Sequence, residues 1–139
     1  MAEKLTGGCL CGAVRYEITG DLIFSGKCYC NDCRKSGGTG HSAVLAVPDQ
    51  AIKITGKVTE YKKAGGSGQP ITRGFCPVCG SRLTSVASVM PGVTMVVAGT
   101  LDNPEQFVSQ MSVYASRAPS WDQPQVGTVT FAEMPPPQG

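Results

Sequence analysis

Seven cysteines at four tight spacings constrain this chain more than any other feature. They read Cys9-Leu10-Cys11, Cys28-Tyr29-Cys30, Cys30-Asn31-Asp32-Cys33 and Cys76-Pro77-Val78-Cys79. Two thiolates one or two residues apart face the same ion across a tight turn, and a structural zinc takes four such ligands in a closed tetrahedron. Seven thiols therefore divide as four plus three. A four-thiolate site is closed and holds a fold together, whereas a three-thiolate site leaves one coordination position open to water or a substrate atom. The odd count is the functional signal.

The cysteines point to metal only if the thiols stay reduced. The same pattern in a secreted chain would be a disulfide framework with one thiol left over. Met1-Ala2-Glu3-Lys4 has no apolar signal core, which predicts an unexported, cytoplasmic protein. The longest apolar stretch, residues 93–98, is far short of the roughly 20 residues that span a bilayer, so no membrane association is expected. Charged residues make up 16% of the chain and the net charge is +2, too sparse for the basic field that nucleic-acid binding requires. With 139 residues the chain is long enough to bury roughly two thirds of its unfolded surface, so it need not rely on metal alone.

Alternating or β-rich runs at residues 13–18, 42–47, 52–55, 58–61, 82–86, 93–98 and 110–115 are punctuated by glycine and proline. No segment sustains a helical period over three turns. The expected fold is mainly β: a single small domain of short antiparallel sheets over residues 1–132, with irregular cysteine-bearing turns, followed by a proline-rich, extended or disordered tail at 133–139. Asn103 and Pro104 are suited to cap and open one short helical turn at 103–107. The glycine-rich residues 65–70 read as a hairpin connection, or as a loop whose bare backbone lets a ligand approach closely.

Cys9 and Cys11 precede a strand, and Cys76 and Cys79 sit in a turn of the zinc-knuckle type, so together they make four ligands. Cys28, Cys30 and Cys33 then offer three thiolates within six residues, suited to wrapping one face of an ion. Sequence also permits Cys30 and Cys33 to join Cys76 and Cys79 as an ordinary ribbon, which would orphan Cys9, Cys11 and Cys28. An iron–sulfur cluster is the other metal reading, but the spacings do not match ferredoxin runs.

Residues 7–16, Gly-Gly-Cys-Leu-Cys-Gly-Ala-Val-Arg-Tyr, and residues 28–38, Cys-Tyr-Cys-Asn-Asp-Cys-Arg-Lys-Ser-Gly-Gly, resemble the glutathione-dependent formaldehyde-activating enzyme family, which also contains centromere-protein-V-like domains. The resemblance continues through residues 73–81, Arg-Gly-Phe-Cys-Pro-Val-Cys-Gly-Ser, and more loosely through 116–121. It implies a tent-like β fold with two zinc ions: a structural one carried onto Cys9, Cys11, Cys76 and Cys79, and a catalytic one carried onto Cys28, Cys30 and Cys33. It also implies a carbon–sulfur lyase activity, the joining of glutathione to formaldehyde to give S-hydroxymethylglutathione. The central motif of the family commonly reads Cys-His-Cys, and here Tyr29 takes the place of the histidine.

A thiol on a zinc ion with an open position would lose its proton near neutral pH, ready to attack an aldehyde carbon. Arg34 and Lys35, directly after Cys33, could offset the negative charge of three thiolates or hold a substrate carboxylate, or else form a solvated basic pair. His41, the only histidine, is a candidate fourth ligand or proton donor, set against a plain structural role. Arg73, Tyr29 and Phe75 are candidates to line a cleft, and Trp121 is expected to pin the C-terminal segment or to cover the site. Two functions follow: an enzyme acting on a small thiol and an aldehyde, or a non-catalytic zinc-stabilised β scaffold that binds a protein partner.

Overall fold

In the computed structural model, which describes residues 4–66 and 68–135, alternation within short apolar runs is what builds strands. Arg-Tyr-Glu-Ile at β2 (Arg15–Ile18) turns Tyr16 and Ile18 inward and its two charged residues outward. β1 (Leu5–Gly8) pairs antiparallel with β2. β2 pairs in turn with β5 (Ile52–Thr55), giving a three-stranded sheet in the order β1-β2-β5. The strands lie in two compact units of the chain, each described separately below.

The first unit holds residues up to 24 and 45–107. Besides the three-stranded sheet it contains an antiparallel meander of β6 (Thr59–Ala64), β7 (Pro70–Phe75), β8 (Arg82–Ala87) and β9 (Val93–Val97). Its core is Leu5, Val14, Tyr16, Ile18, Leu45, Val47, Leu83, Val96 and Leu101. β6 ends the sheet and carries Glu60, Lys62 and Lys63, charges that discourage pairing with another chain. The glycine-rich residues after β6 close the β6–β7 hairpin, with the Gly65 amide donating to the Gln69 carbonyl at 2.8 Å; Ser67 lies outside the described residues. Asp102 accepts hydrogen bonds from Thr6 and from both terminal nitrogens of Arg15, tying the segment after β9 to β1 and β2.

Close approach fixes Gly7. A Cβ there would lie 2.3 Å from the Tyr16 hydroxyl oxygen and 2.4 Å from the Thr100 carbonyl oxygen, where Tyr16 makes a 2.7 Å hydrogen bond with the Thr100 hydroxyl. Gly7→Ala is expected to destabilise the protein by about 1–3 kcal/mol, the usual range for overpacking. In urea unfolding this reads as a lower midpoint at unchanged slope. A wild-type midpoint would mean that the Thr100 turn yields freely.

The second unit holds residues 25–44 and 108 onwards. β3 (Phe24–Cys28) pairs in parallel with β10 (Met111–Val113), so not every pairing is the expected antiparallel one. α1 (Asn31–Gly37) follows at once, and β4 (Ser42–Pro48) begins in this unit and ends in the first. Residues 128–131 run beside β10, with Phe131 donating to the Ser112 carbonyl at 2.8 Å. The Glu133 carbonyl accepts the Tyr114 amide at 3.1 Å, and residues 136–139 of the proline-rich tail lie outside the described residues.

The mainly β expectation holds, and seven of the ten strands fall where alternation places them. β1, β3 and β7 were not anticipated because Leu-Thr-Gly-Gly, Phe-Ser-Gly-Lys-Cys and Pro-Ile-Thr-Arg-Gly-Phe carry glycine or proline that weakens intrinsic strand preference. Partner strands override that preference. The central cysteines also lead from a strand into a helix rather than lying in an irregular turn, with Cys28 on β3, Cys30 at the junction and Cys33 on α1: α1 has only seven residues, too short for a periodic signal, but it is capped at both ends. Cys30 caps its start, accepting the Cys33 amide, and Gly38 ends it in the left-handed conformation. The short turn at Pro104–Gln106 forms as expected, with the Asn103 side chain accepting the Glu105 amide at 3.1 Å.

Candidate metal centres

Two loops of the first unit bring Cys9, Cys11, Cys76 and Cys79 together, with all four sulfurs within 4.8 Å of one another. Cys9 and Cys11 Sγ are 3.7 Å apart, and Cys11 and Cys76 Sγ are 3.8 Å apart. A zinc–sulfur bond of about 2.3 Å sets the edge of a sulfur tetrahedron at about 3.8 Å, whereas a disulfide needs about 2.05 Å. The spacing fits a metal.

Local backbone geometry supports the same donor set. Cys76 Sγ accepts the amides of Val78 at 3.4 Å and Cys79 at 3.5 Å, while the Gly80 amide reaches back to the Cys76 carbonyl at 2.9 Å. Gly80, at φ 77°, supplies the left-handed turn that closes this knuckle. Cys9 Sγ accepts the Val14 amide at 3.2 Å. Amide donors aimed at sulfur favour thiolate over thiol. Ser81 joins the two loops: its Oγ accepts the Leu10 amide at 3.0 Å and lies 3.2 Å from Cys79 Sγ. Sequence reading placed Ser81 in the motif without giving it this part.

Charge within the set is uneven. The Ser81 hydroxyl, followed by the Ser81 and Cys11 amides, holds the Cys79 thiol down to about 5. For Cys11 the Ala13 amide pulls downward but is outweighed by desolvation and by the Cys9, Cys79 and Cys76 sulfurs, which raise it to about 11. Divalent metal binds thiolates, so at neutral pH the Cys11 proton must leave when metal enters. Proton release on binding makes affinity rise with pH, by about tenfold per unit or more between about pH 6 and 8. Competition with a coloured chelator at several pH values measures this slope, and a flat response would contradict it.

In the second unit, β3 delivers Cys28, the β3–α1 junction delivers Cys30, and the first turn of α1 delivers Cys33. These three sulfurs also lie within 4.8 Å of one another, all on half-buried residues. Cys30 Sγ accepts the Cys33 amide at 3.3 Å. The Cys28 and Cys33 side chains, in that order, hold the Cys30 thiol down to about 2, while the same crowding by Cys30 and Cys33, with burial, pushes Cys28 far up. The trio cannot carry three negative charges alone. A bound cation would relieve that repulsion, and the donor set of soft thiolates suits zinc.

Among the described residues, no histidine, carboxylate or further cysteine joins the trio within that distance. His41 does not lie within that cluster. Its Nδ1 lies 2.6 Å from Asp122 Oδ2, and its ring centroid is 5.1 Å from that of Tyr29. Tyr29 has 0% exposure, and its hydroxyl makes no hydrogen bond among the described residues. Trp121 does not pin the C-terminal segment, being 69% exposed; its neighbour Asp122 makes the anchoring contact, to His41. Arg34 is half-buried and Lys35 exposed on α1. Arg73 and Phe75 lie on β7 of the first unit, where Arg73 is buried with Nε unpaired among the described residues.

Tyr114 is a feature no sequence signal marks. It is the one described non-glycine residue with positive φ, at 54°. Arg117 lies 5.0 Å over its ring, and the Arg117 amide donates to its carbonyl at 3.0 Å. Burial, followed by the charges of Cys28 and Cys30, raises the Tyr114 phenol, so this left-handed residue sits in the field of the trio.

Comparison with known proteins agrees with this geometry. The chain matches the family described as glutathione-dependent formaldehyde-activating enzyme over residues 4–117. It is 31% identical over 104 residues to a Halomonas elongata protein provisionally named a glutathione-dependent formaldehyde-activating enzyme. That match spans 71% of this chain and 66% of the relative. The crystal structure of a Rhodobacter sphaeroides protein, a structural-genomics target, superposes with a TM-score of 0.58 at 20% identity. It covers 91% of this chain and 98% of that one, a likeness of fold. Among the described residues no helix is long and apolar enough to cross a membrane.

Proposed function

Because the chain belongs to the glutathione-dependent formaldehyde-activating enzyme family, we propose that it is a zinc-dependent carbon–sulfur lyase that joins a small thiol such as glutathione to an aldehyde such as formaldehyde. The observation that carries this reading is the incomplete trio: Cys28, Cys30 and Cys33 converge within 4.8 Å, and no fourth ligand group joins them among the described residues. Cys9, Cys11, Cys76 and Cys79 would hold a structural zinc, and the trio would hold the catalytic one. When bound there, zinc supplies positive charge that favours thiolate over thiol and polarises a carbonyl oxygen.

The remaining work falls to the chain. Cys28, Cys30 and Cys33 occupy one face and leave the opposite face to substrate. Arg34 and Lys35 supply cationic charge directly after the trio, suited to the carboxylates of glutathione. The fold sets the separation of thiol and aldehyde, so that a bimolecular addition becomes a positioned one. A cytoplasmic setting accords with reduced thiols at all seven positions.

Exchange NMR of glutathione and formaldehyde tests the reading directly. Zinc-loaded protein is expected to speed formation and breakdown of S-hydroxymethylglutathione well beyond the uncatalysed rate. Equal exchange with and without protein would remove this activity.

A further inference from the structure

Within the second unit, the only histidine of the chain is paired with a carboxylate from a distant segment. His41 Nδ1 lies 2.6 Å from Asp122 Oδ2, and both side chains are about four-fifths buried, at 21% and 20% exposure. An ionised carboxylate can only accept, so the proton of a neutral imidazole belongs on Nδ1 and the lone pair on Nε2. Nε2 makes no hydrogen bond among the described residues. The ring also meets that of Tyr29, which sits between Cys28 and Cys30 in sequence, and the adjacent Ser42 hydroxyl donates to the Cys33 carbonyl at 3.3 Å. His41 is therefore linked to the segments that carry the trio through Tyr29 and Ser42, and its Nε2 is left without a hydrogen bond among the described residues.

Two further details keep Asp122 in place. Its amide donates to the Pro119 carbonyl at 3.0 Å, and the Gln123 side chain donates to the Ala118 and Pro119 carbonyls at 3.2 and 2.7 Å, fixing the turn that presents the carboxylate. Gly40 makes room for it: a Cβ there would lie 2.1 Å from Asp122 Oδ2 and 2.5 Å from its Cβ. Gly40 does not have positive φ, and the three atoms nearest to such a Cβ all belong to Asp122.

We propose that His41 is the acid–base group of this site and that Asp122, admitted by Gly40, is the positioning residue that fixes it with Nε2 free to take and return a proton. The inference rests on the lyase reading above. In the addition direction, Nε2 accepts the proton of the substrate thiol, and the resulting thiolate forms the carbon–sulfur bond as the carbonyl π bond breaks. The imidazolium Nε2–H then delivers the same proton to the new alkoxide oxygen. Thiol and aldehyde become hydroxyalkyl thioether with no net proton or electron exchanged. Among the described residues, Tyr29 meets the ring and Asp122 pairs with its Nδ1.

The experiment uses full-length, zinc-loaded protein labelled with 15N-histidine; a single histidine makes the assignment unambiguous. Long-range proton–nitrogen correlation is expected to show protonated Nδ1 and bare Nε2 in wild type, and a shift toward the opposite tautomer in both Asp122→Asn and Gly40→Ala. Asp122→Glu, which keeps the carboxylate, is expected to restore the wild-type pattern at least in part. In the glutathione–formaldehyde exchange assay, His41→Gln is expected to lower kcat by roughly 100-fold, within the usual span for acid–base catalysis, with KM little changed. A wild-type ring protonated on Nε2, or a tautomer indifferent to both Asp122→Asn and Gly40→Ala, overturns the positioning role. An active wild type with an equally active His41→Gln overturns the acid–base role alone. An inactive wild type overturns that role together with the lyase reading, and the tautomer comparison still decides what Asp122 does.

Discussion

Cys76→Ser is expected to leave the first unit unfolded at 25 °C, with loss of dispersed amide signals and of one metal per chain. Cys76 has 0% exposure, and its sulfur collects two amide hydrogen bonds while lying 3.8 Å from Cys11 Sγ. Structural zinc contributes on the order of 10–16 kcal/mol in small zinc domains, as much as or more than the about 5–15 kcal/mol that separates most folded domains from their unfolded chains. Serine offers a hydroxyl that does not replace a thiolate on zinc. The core of Leu5, Val14, Ile18, Leu45, Leu83 and Val96 is small, and the knuckle loops carry exposed Leu10 and Val78 at their tips. The exposed tips of those loops gain little from apolar burial, so a bound metal would add much to the Ser81 contacts that join them. Circular dichroism and metal analysis of the variant check the outcome, and a cooperative melt near the wild-type Tm would show that the four sulfurs are dispensable.

Cys30→Ser is expected to do the reverse, sparing the fold and emptying the second site. Cys30 is the N-cap of α1, and serine is among the best residues at that position, so the helix keeps its cap. Stability should change by no more than about 1 kcal/mol. Metal content should fall from two ions to one, and affinity at the trio should drop by well over about 100-fold, because even losing an outer-shell partner costs 10–100-fold. Exchange activity should fall to the uncatalysed rate. Isothermal metal titration with parallel thermal melts separates the two effects. Equal loss of stability in Cys30→Ser and Cys76→Ser would assign both cysteines to one structural centre.

The contrast between these variants tracks what was legible. Cys-x-Cys and Cys-x-x-Cys spacings declare metal because the ligands of each pair are fixed by local backbone geometry, and the knuckle at Cys76 needs only its own amides and Gly80. Alternation at Arg15–Ile18 and Arg82–Ala87 declares strands because a buried face selects every second residue. β1, β3 and β7 escape the same reading, since their glycines and prolines are tolerated only through pairing with neighbours that lie elsewhere in sequence. α1 escapes it through brevity. Asp122 escapes altogether: no local pattern distinguishes a carboxylate after an exposed tryptophan until the turn at Pro119 sets it against Gly40 and His41.

By itself the sequence determined that the chain is mainly β, that its cysteines stand at metal-chelating spacings, and that they divide unequally. Tertiary structure alone decided which cysteines cluster, and which acid meets the histidine. Cys11 and Cys76 are separated by 65 positions and His41 and Asp122 by 81, and over such distances spacing carries no geometry. Those meetings are set by strand register and core packing, which depend on the whole chain closing at once.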